Sequence, residues 1–273
     1  MRRLLLRGES IPMQSKFTQK NQSVDKVLKI IEYMSEMRMP MKLQDISKGI
    51  GFPPSTILRL LTSLIDMGYV YQDVETLKYS LTLKFCRIGD SVKSSLNVSE
   101  IVHPYLLNIS NQSGETTYFA IEQDMTLVYL DAIAGFNTQN SKLQRIGKVA
   151  PLHATGIGKL LLLNYDDNKL KKMVNTIGLS KYTEHTISSY EALKRELEKI
   201  QMQGYAIDNE ECEEGVRCIS MPIRDYTGNI FGGISISGSV DRIVPERFEE
   251  LLGILGTVSR DISEKLGYVQ AEG

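Results

Sequence analysis

Three cysteines in 273 residues are too few and too irregularly spaced for a disulfide scaffold or a zinc site. Cys86, Cys212 and Cys218 make no CxxC pair, and the odd count fits a reduced, cytoplasmic protein. No apolar run approaches the roughly 18 residues that a membrane-spanning helix requires, so no membrane partner is expected. The Leu run at residues 4–6 is far too short for the core of a signal peptide. Charge of one sign is also lacking, because the formal net charge is only −1. Its distribution is uneven: residues 1–90 carry 14 Lys and Arg against 9 Asp and Glu, and residues 91–273 carry 18 against 24. A basic first part on an acidic remainder is the asymmetry expected if only the first part touches nucleic acid. A hydrophobic content of 42% is enough to bury a core, and the length allows one large or two ordinary domains.

The most informative stretch is GFPPSTILRLLTSLIDMGYV, residues 51–70. As a helix over 54–66 it places Ile57, Leu60, Leu61, Leu64 and Ile65 on one apolar stripe. The opposite face carries Ser55, Thr56, Arg59, Thr62 and Ser63, short hydroxyls and one forked cation able to reach phosphates and base edges in a major groove. Pro53 and Pro54 mark its start and Gly68 its end. An ordinary amphipathic helix with a polar outer face would look similar, so the flanks decide. Upstream, MKLQDISKGI reads as a second helix, with Gly51 as the tight turn between the two, the order of a helix-turn-helix. Ser23 is placed to cap a first helix over 24–36, whose Val24, Val27, Leu28 and Ile31 would wall a small core. Residues 69–72 and 78–83 read as the strands of a hairpin, with Lys78 in the part of this wing that would meet the DNA backbone.

Residues 1–21 read as a disordered basic arm, in which Met13 offers a second start and a minor-groove role is the functional alternative. The winged helix-turn-helix spans 22–82, and a linker helix spans 83–98 with Leu83, Ile88 and Val92 spaced for packing. Residues 99–270 form a second domain. There, a helix over 98–113 ends at Gly114, strands span 116–122 and 126–132, and small residues open a helix within 152–164. A capping box at Ser188 and Glu191 starts a helix that ends at Gly204. Strands at 205–207, 216–223 and 230–237 and a long helix at 245–266 complete an α+β fold with an antiparallel sheet.

In the strand at 216–222 the period of two puts Val216, Cys218 and Ser220 on one face; in the next strand Ser235 and Ser237 lie opposite Ile234 and Ile236. Isoleucines belong in a core, and small hydroxyls suit either a polar cavity or solvent. The turn at Thr155 to Gly158 offers backbone N–H groups at a positive helix end, a seat for a carboxylate.

With GFPPSTILRLL, DMGYV, PLHATGIGK, GYAIDNEECEEGVRCISMPIRD and GGISISG in this order, the chain resembles the IclR family of bacterial transcriptional regulators over residues 22–267. The resemblance implies a DNA-binding winged helix, a GAF-like effector-binding domain, assembly as a dimer of dimers, and control of operons for small carbon compounds. It implies repression more often than activation. It also implies that Gly156, Ile157, Asp208, Val216, Cys218, Ser235 and Ser237, beside Thr155, hold a small organic acid or sugar-derived effector. The chain departs from the family at Ile157, where relatives that bind two- and three-carbon keto acids carry a smaller residue. The implied partners are a near-palindromic DNA operator, the effector and further copies of the chain. No cofactor is implied. A rival reading makes Cys218 a nucleophile activated by His153, but no third orienting residue is indicated. His103 and His185 read as ordinary structural or surface residues. The acidic loop at 208–214 reads as a solvated run, not a metal site.

Overall fold

The computed structural model describes residues 21–95, 97–137 and 146–270, so most of the expected basic arm lies outside the described residues. The chain divides between Leu96 and Asn97 into two compact units.

The first unit contains α1 (Gln22–Met37), α2 (Leu43–Ile50), α3 (Pro54–Asp66), β1 (Val70–Gln72), β2 (Tyr79–Leu81) and α4 (Lys84–Ser95). α1 is capped by Asn21, whose side chain accepts from the Ser23 amide; Ser23 is therefore inside the helix and not its cap. Its buried residues are Ile30 and Met34, with Val27 and Ile31 packed beside them, whereas Val24 and Leu28 are about half exposed. The buried row 27, 30, 31 and 34 has the same i, i+3, i+4, i+7 spacing as the expected one but lies three positions further along, which turns the wall by about 60° around the helix. Gly51 sits at φ +72° between α2 and α3, a left-handed conformation that L side chains rarely adopt. α3 begins and ends where the prolines and the Met67–Gly68 pair require, and it buries Ile57, Leu60, Leu61 and Leu64.

β1 and β2 pair in register Val70 to Leu81 and Gln72 to Tyr79. Their turn is closed by Asp73, which accepts from both the amide and the hydroxyl of Thr76, and by Leu77 at φ +56°. These two bonds hold the Asp73 carboxyl below the usual range, with the Thr76 hydroxyl contributing most. Lys84 then clamps the C-terminal end of α3, its ammonium donating to the Met67 carbonyl at 2.6 Å while lying over the Tyr69 ring. Leu83, Ile88 and Val92, expected to be spaced for packing, are all exposed.

The second unit is one six-stranded antiparallel sheet with helices on both faces. Its elements are α5 (Val98–Ser113), β3 (Thr116–Gln123), β4 (Thr126–Ile133), β5 (Val149–Ala150), α6 (Gly156–Leu162), α7 (Asp167–Ile177), α8 (Tyr190–Gln203), β6 (Ala206–Asn209), β7 (Val216–Arg224), β8 (Ile230–Ser239) and α9 (Phe248–Lys265). The spatial order is β5-β4-β3-β8-β7-β6. Side-chain alternation along the strands makes two cores. Phe119, Ile219, Ile234 and Ile236 meet α5 and α9, while Tyr118, Ala120, Leu127 and Ala206 meet α6, α7 and α8.

β5 and α7 were not anticipated. β5 is two residues long, and α7 has the Lys-rich sequence DNKLKKMVNTI, whose buried contribution is only Leu170 and Met173. The cap of α8 is Ser189, which accepts from the Ala192 amide, not Ser188. The final helix starts at Phe248, after a single 3-10 turn at Pro245–Arg247.

Candidate nucleic-acid interface and ligand cavity

On α3 the residues opposite the buried stripe fall into two groups. Ser55 and Arg59 are exposed, and Thr56 is half-buried. Thr62 and Ser63 are exposed as well, but their hydroxyls donate to the carbonyls of Leu58 and Arg59, one turn back on the same helix. Those two side chains have spent their donors locally, so the free reading equipment is concentrated in the first half of the helix. Leu58, absent from the expected set, is exposed among them. Lys78 is half-buried at the base of the wing, where its carbonyl accepts from the Asp73 amide.

In the second unit, Thr155, Gly156, Ile157, Asp208, Cys218 and Ser235 are brought together around one cavity. Val216 and Ser237 are buried but do not line it. Val216 pairs with Ser239 at the far end of β7, and Ser237 stands opposite Cys218, whose thiol donates to its hydroxyl at 3.2 Å. The serine face of β8 does not meet solvent; α6 covers it. Thr155 caps α6 with its own hydroxyl, which accepts from the Gly158 amide and so occupies one of the N–H groups expected to face a ligand. Gly156 lets α6 approach β7 closely, since a Cβ there would stand 2.4 Å from the Ser220 hydroxyl. Gly233 does the same for Ile157, which a Cβ would meet at 2.7 Å. These contacts leave about 20 Å³, room for about one water molecule.

Four lining residues were missed: Tyr118, Leu127, Tyr129 and Ser220. Ser220 was legible, because it shares the face of Cys218 at a spacing of two. Its hydroxyl is wholly buried and without a hydrogen-bond partner. The others come from β3 and β4, and nothing local in their sequence says which helix will cover them. Behind the cavity, Lys159 of α6 is also wholly buried. Its ammonium donates to Glu211 at 2.5 Å, to the Ile207 carbonyl at 2.6 Å and to Glu196 at 3.2 Å. Burial pushes the Asp208 carboxyl up to about 7, and the neighbouring Glu211 charge adds to this. Glu211 is also raised, burial outweighing its bond to Lys159.

His153 and Cys218 are held by different partners. The His153 ring is turned to the Ser180 carbonyl at 3.1 Å and lies beside Tyr182, and burial pushes its imidazole below the usual range. Among the described residues no helix is long and apolar enough to cross a membrane, and no group of three or more His, Cys, Asp or Glu side chains is arranged to hold a metal ion.

Comparison with known proteins bears on both sites. Residues 23–74 match the IclR helix-turn-helix domain, and residues 90–264 match the bacterial transcriptional regulator IclR C-terminal domain. The HTH-type transcriptional regulator KdgR of Escherichia coli (strain K12) is 34% identical over 247 residues, covering 90% of this chain and 93% of the relative. The transcriptional repressor IclR of the same organism is 31% identical over 252 residues, covering 90% of each. The crystal structure of the Thermotoga maritima IclR superimposes with a TM-score of 0.60 at 30% identity, over 90% of this chain and 99% of that one.

Proposed function

Because this chain belongs to the IclR family of bacterial transcriptional regulators, and is a regulator and not an enzyme, we propose that it is a repressor whose grip on DNA is set by a small carboxylate bound in the second unit. The observation that carries the reading is the division of α3 into a buried stripe and an outward row of Ser55, Thr56 and Arg59, on a helix-turn-helix matched to the family. Such a helix enters a major groove with its first turns nearest the base edges, and the wing bearing Lys78 meets the sugar-phosphate backbone. Relatives named as repressors support repression; an activator of the same architecture is the alternative.

Self-association is supported by what the first unit leaves exposed. Val24 and Leu28 on α1, and Ile88 and Val92 on α4, are apolar, exposed and spaced at i, i+4. A second copy covering these rows would pair two reading helices, so the operator is a near palindrome. The effector acts from the α6 cavity. At about 20 Å³ that space is too small for even a two-carbon acid, so a ligand enters only where α6 and the strands have moved apart. Its effect on DNA affinity is then set by its preference for the opened arrangement. The target would be an operon handling small carbon compounds.

The test is fluorescence anisotropy of the full-length protein on promoter fragments of its own genome, with and without small carboxylates and sugar acids. The expected result is tight binding to a near-palindromic fragment that one of these acids weakens. Equal, weak binding to all fragments at low ionic strength would overturn the reading.

A further inference from the structure

The α6 cavity holds an acid and, among the described residues, no base in its wall. Asp208 is 4% exposed, and its Oδ1 accepts from the amides of Glu211 at 2.8 Å and Cys212 at 3.4 Å. Its neighbours come from every element packed around it. α6 supplies Lys159, the loop after β6 supplies Glu211, β7 supplies Cys218, and β3 and β4 supply Tyr118 and Tyr129, while Glu196 of α8 is bonded to Lys159 behind them. Lys159 is the cation of that set, and two carboxylates and a carbonyl already share its ammonium. A carboxylate arriving in the cavity therefore faces a carboxyl group with no uncommitted positive charge beside it. Two adjacent carboxyl groups in a dry site do not both ionise. The Ser220 hydroxyl, buried and unpaired, is a donor waiting in the same wall.

We propose that a carboxylate effector enters this seat together with one proton, which Asp208 holds, so that the neutral carboxyl donates a hydrogen bond to the ligand. The proposal rests on the reading of the cavity as the effector seat. It explains how a site with a buried acid receives an anion, and it makes effector sensing depend on pH. Burial already raises Asp208 to about 7. Below that pH the proton is in place before the ligand arrives; above it, binding must draw one from solution.

The experiment is isothermal titration calorimetry of the full-length protein with glycolate, lactate, glycerate and gluconate from about pH 6 to about pH 8. At the upper end it is repeated in phosphate and in Tris, whose ionisation enthalpies differ. The expected result is a Kd flat below about pH 7 and weakening toward tenfold per unit above it, with close to one proton taken up per ligand at the upper end. Asp208→Asn keeps the oxygen that the two amides need, and it is expected to bind with a pH-independent Kd and no proton uptake. Wild-type binding without proton uptake at high pH, or a slope that survives in Asp208→Asn, overturns the proposal while leaving the seat intact. If none of these acids binds at about pH 6, the carboxylate reading itself fails and the proposal falls with it.

Discussion

Ser220 is where stability and recognition pull apart. A buried hydroxyl without a partner costs roughly 1–3 kcal/mol, so Ser220→Ala should raise the melting temperature while weakening effector binding. Thermal denaturation paired with calorimetry checks both halves. Asp208 makes a second residue-scale prediction. Its folded pKa of about 7 lies above the unfolded value, so the folded state binds the extra proton between about pH 4 and pH 7 and loses that advantage as pH rises through this window. The melting temperature of Asp208→Asn relative to wild type should therefore increase from about pH 5 to about pH 8. A constant difference would mean that Asp208 titrates normally. Sequence alone exposed part of this site. The alternation of Ser235 and Ser237 with Ile234 and Ile236 announced two chemically different faces, but whether the serine face met water or a helix depended on α6, which contacts it only in the folded state.

Among the elements, α6 is the one that makes the cavity. Its close approach requires Gly156, and Gly156→Ala should destabilise by about 1–3 kcal/mol through the clash with Ser220. Much of that cost should vanish in the Ser220→Ala background, where the nearest remaining contact is the 3.2 Å approach to the Ser220 Cβ. A double-mutant cycle by chemical denaturation measures the coupling; additive effects would place the strain elsewhere. Lys159→Ala should cost about 3–5 kcal/mol, since it strands Glu211 and Glu196 without their shared cation. The legibility of elements followed their punctuation. α3 was readable to its ends because Pro53, Pro54 and Gly68 bracket a strong apolar stripe. α7 was not, because a short run with two buried residues and three lysines has too little periodicity to stand out. The rows Val24–Leu28 and Ile88–Val92 read as packing stripes for a physical reason: an apolar stripe looks the same in the sequence whether its own domain buries it or leaves it exposed.

For the whole molecule, the division of charge between the two parts turns into a salt dependence. If the basic first unit neutralises DNA phosphates, the logarithm of the binding constant falls linearly with the logarithm of salt concentration, at a slope of about −0.9 per phosphate contacted. Under the proposed function, effector binding in the second unit would then lower the affinity without any contact with DNA, by favouring protomer arrangements in which paired recognition helices no longer match two half-sites. The single most direct test compares wild type with Arg59→Ala on the tightest-bound promoter fragment by fluorescence anisotropy. Arg59 is exposed and the helix that carries it is anchored by residues on its other side, so the variant should fold as wild type does. The expected result is a loss of about 1–3 kcal/mol in DNA affinity and relaxed sequence preference at one position of each half-site. An Arg59→Ala protein that binds the fragment with wild-type affinity and an unchanged footprint would contradict it.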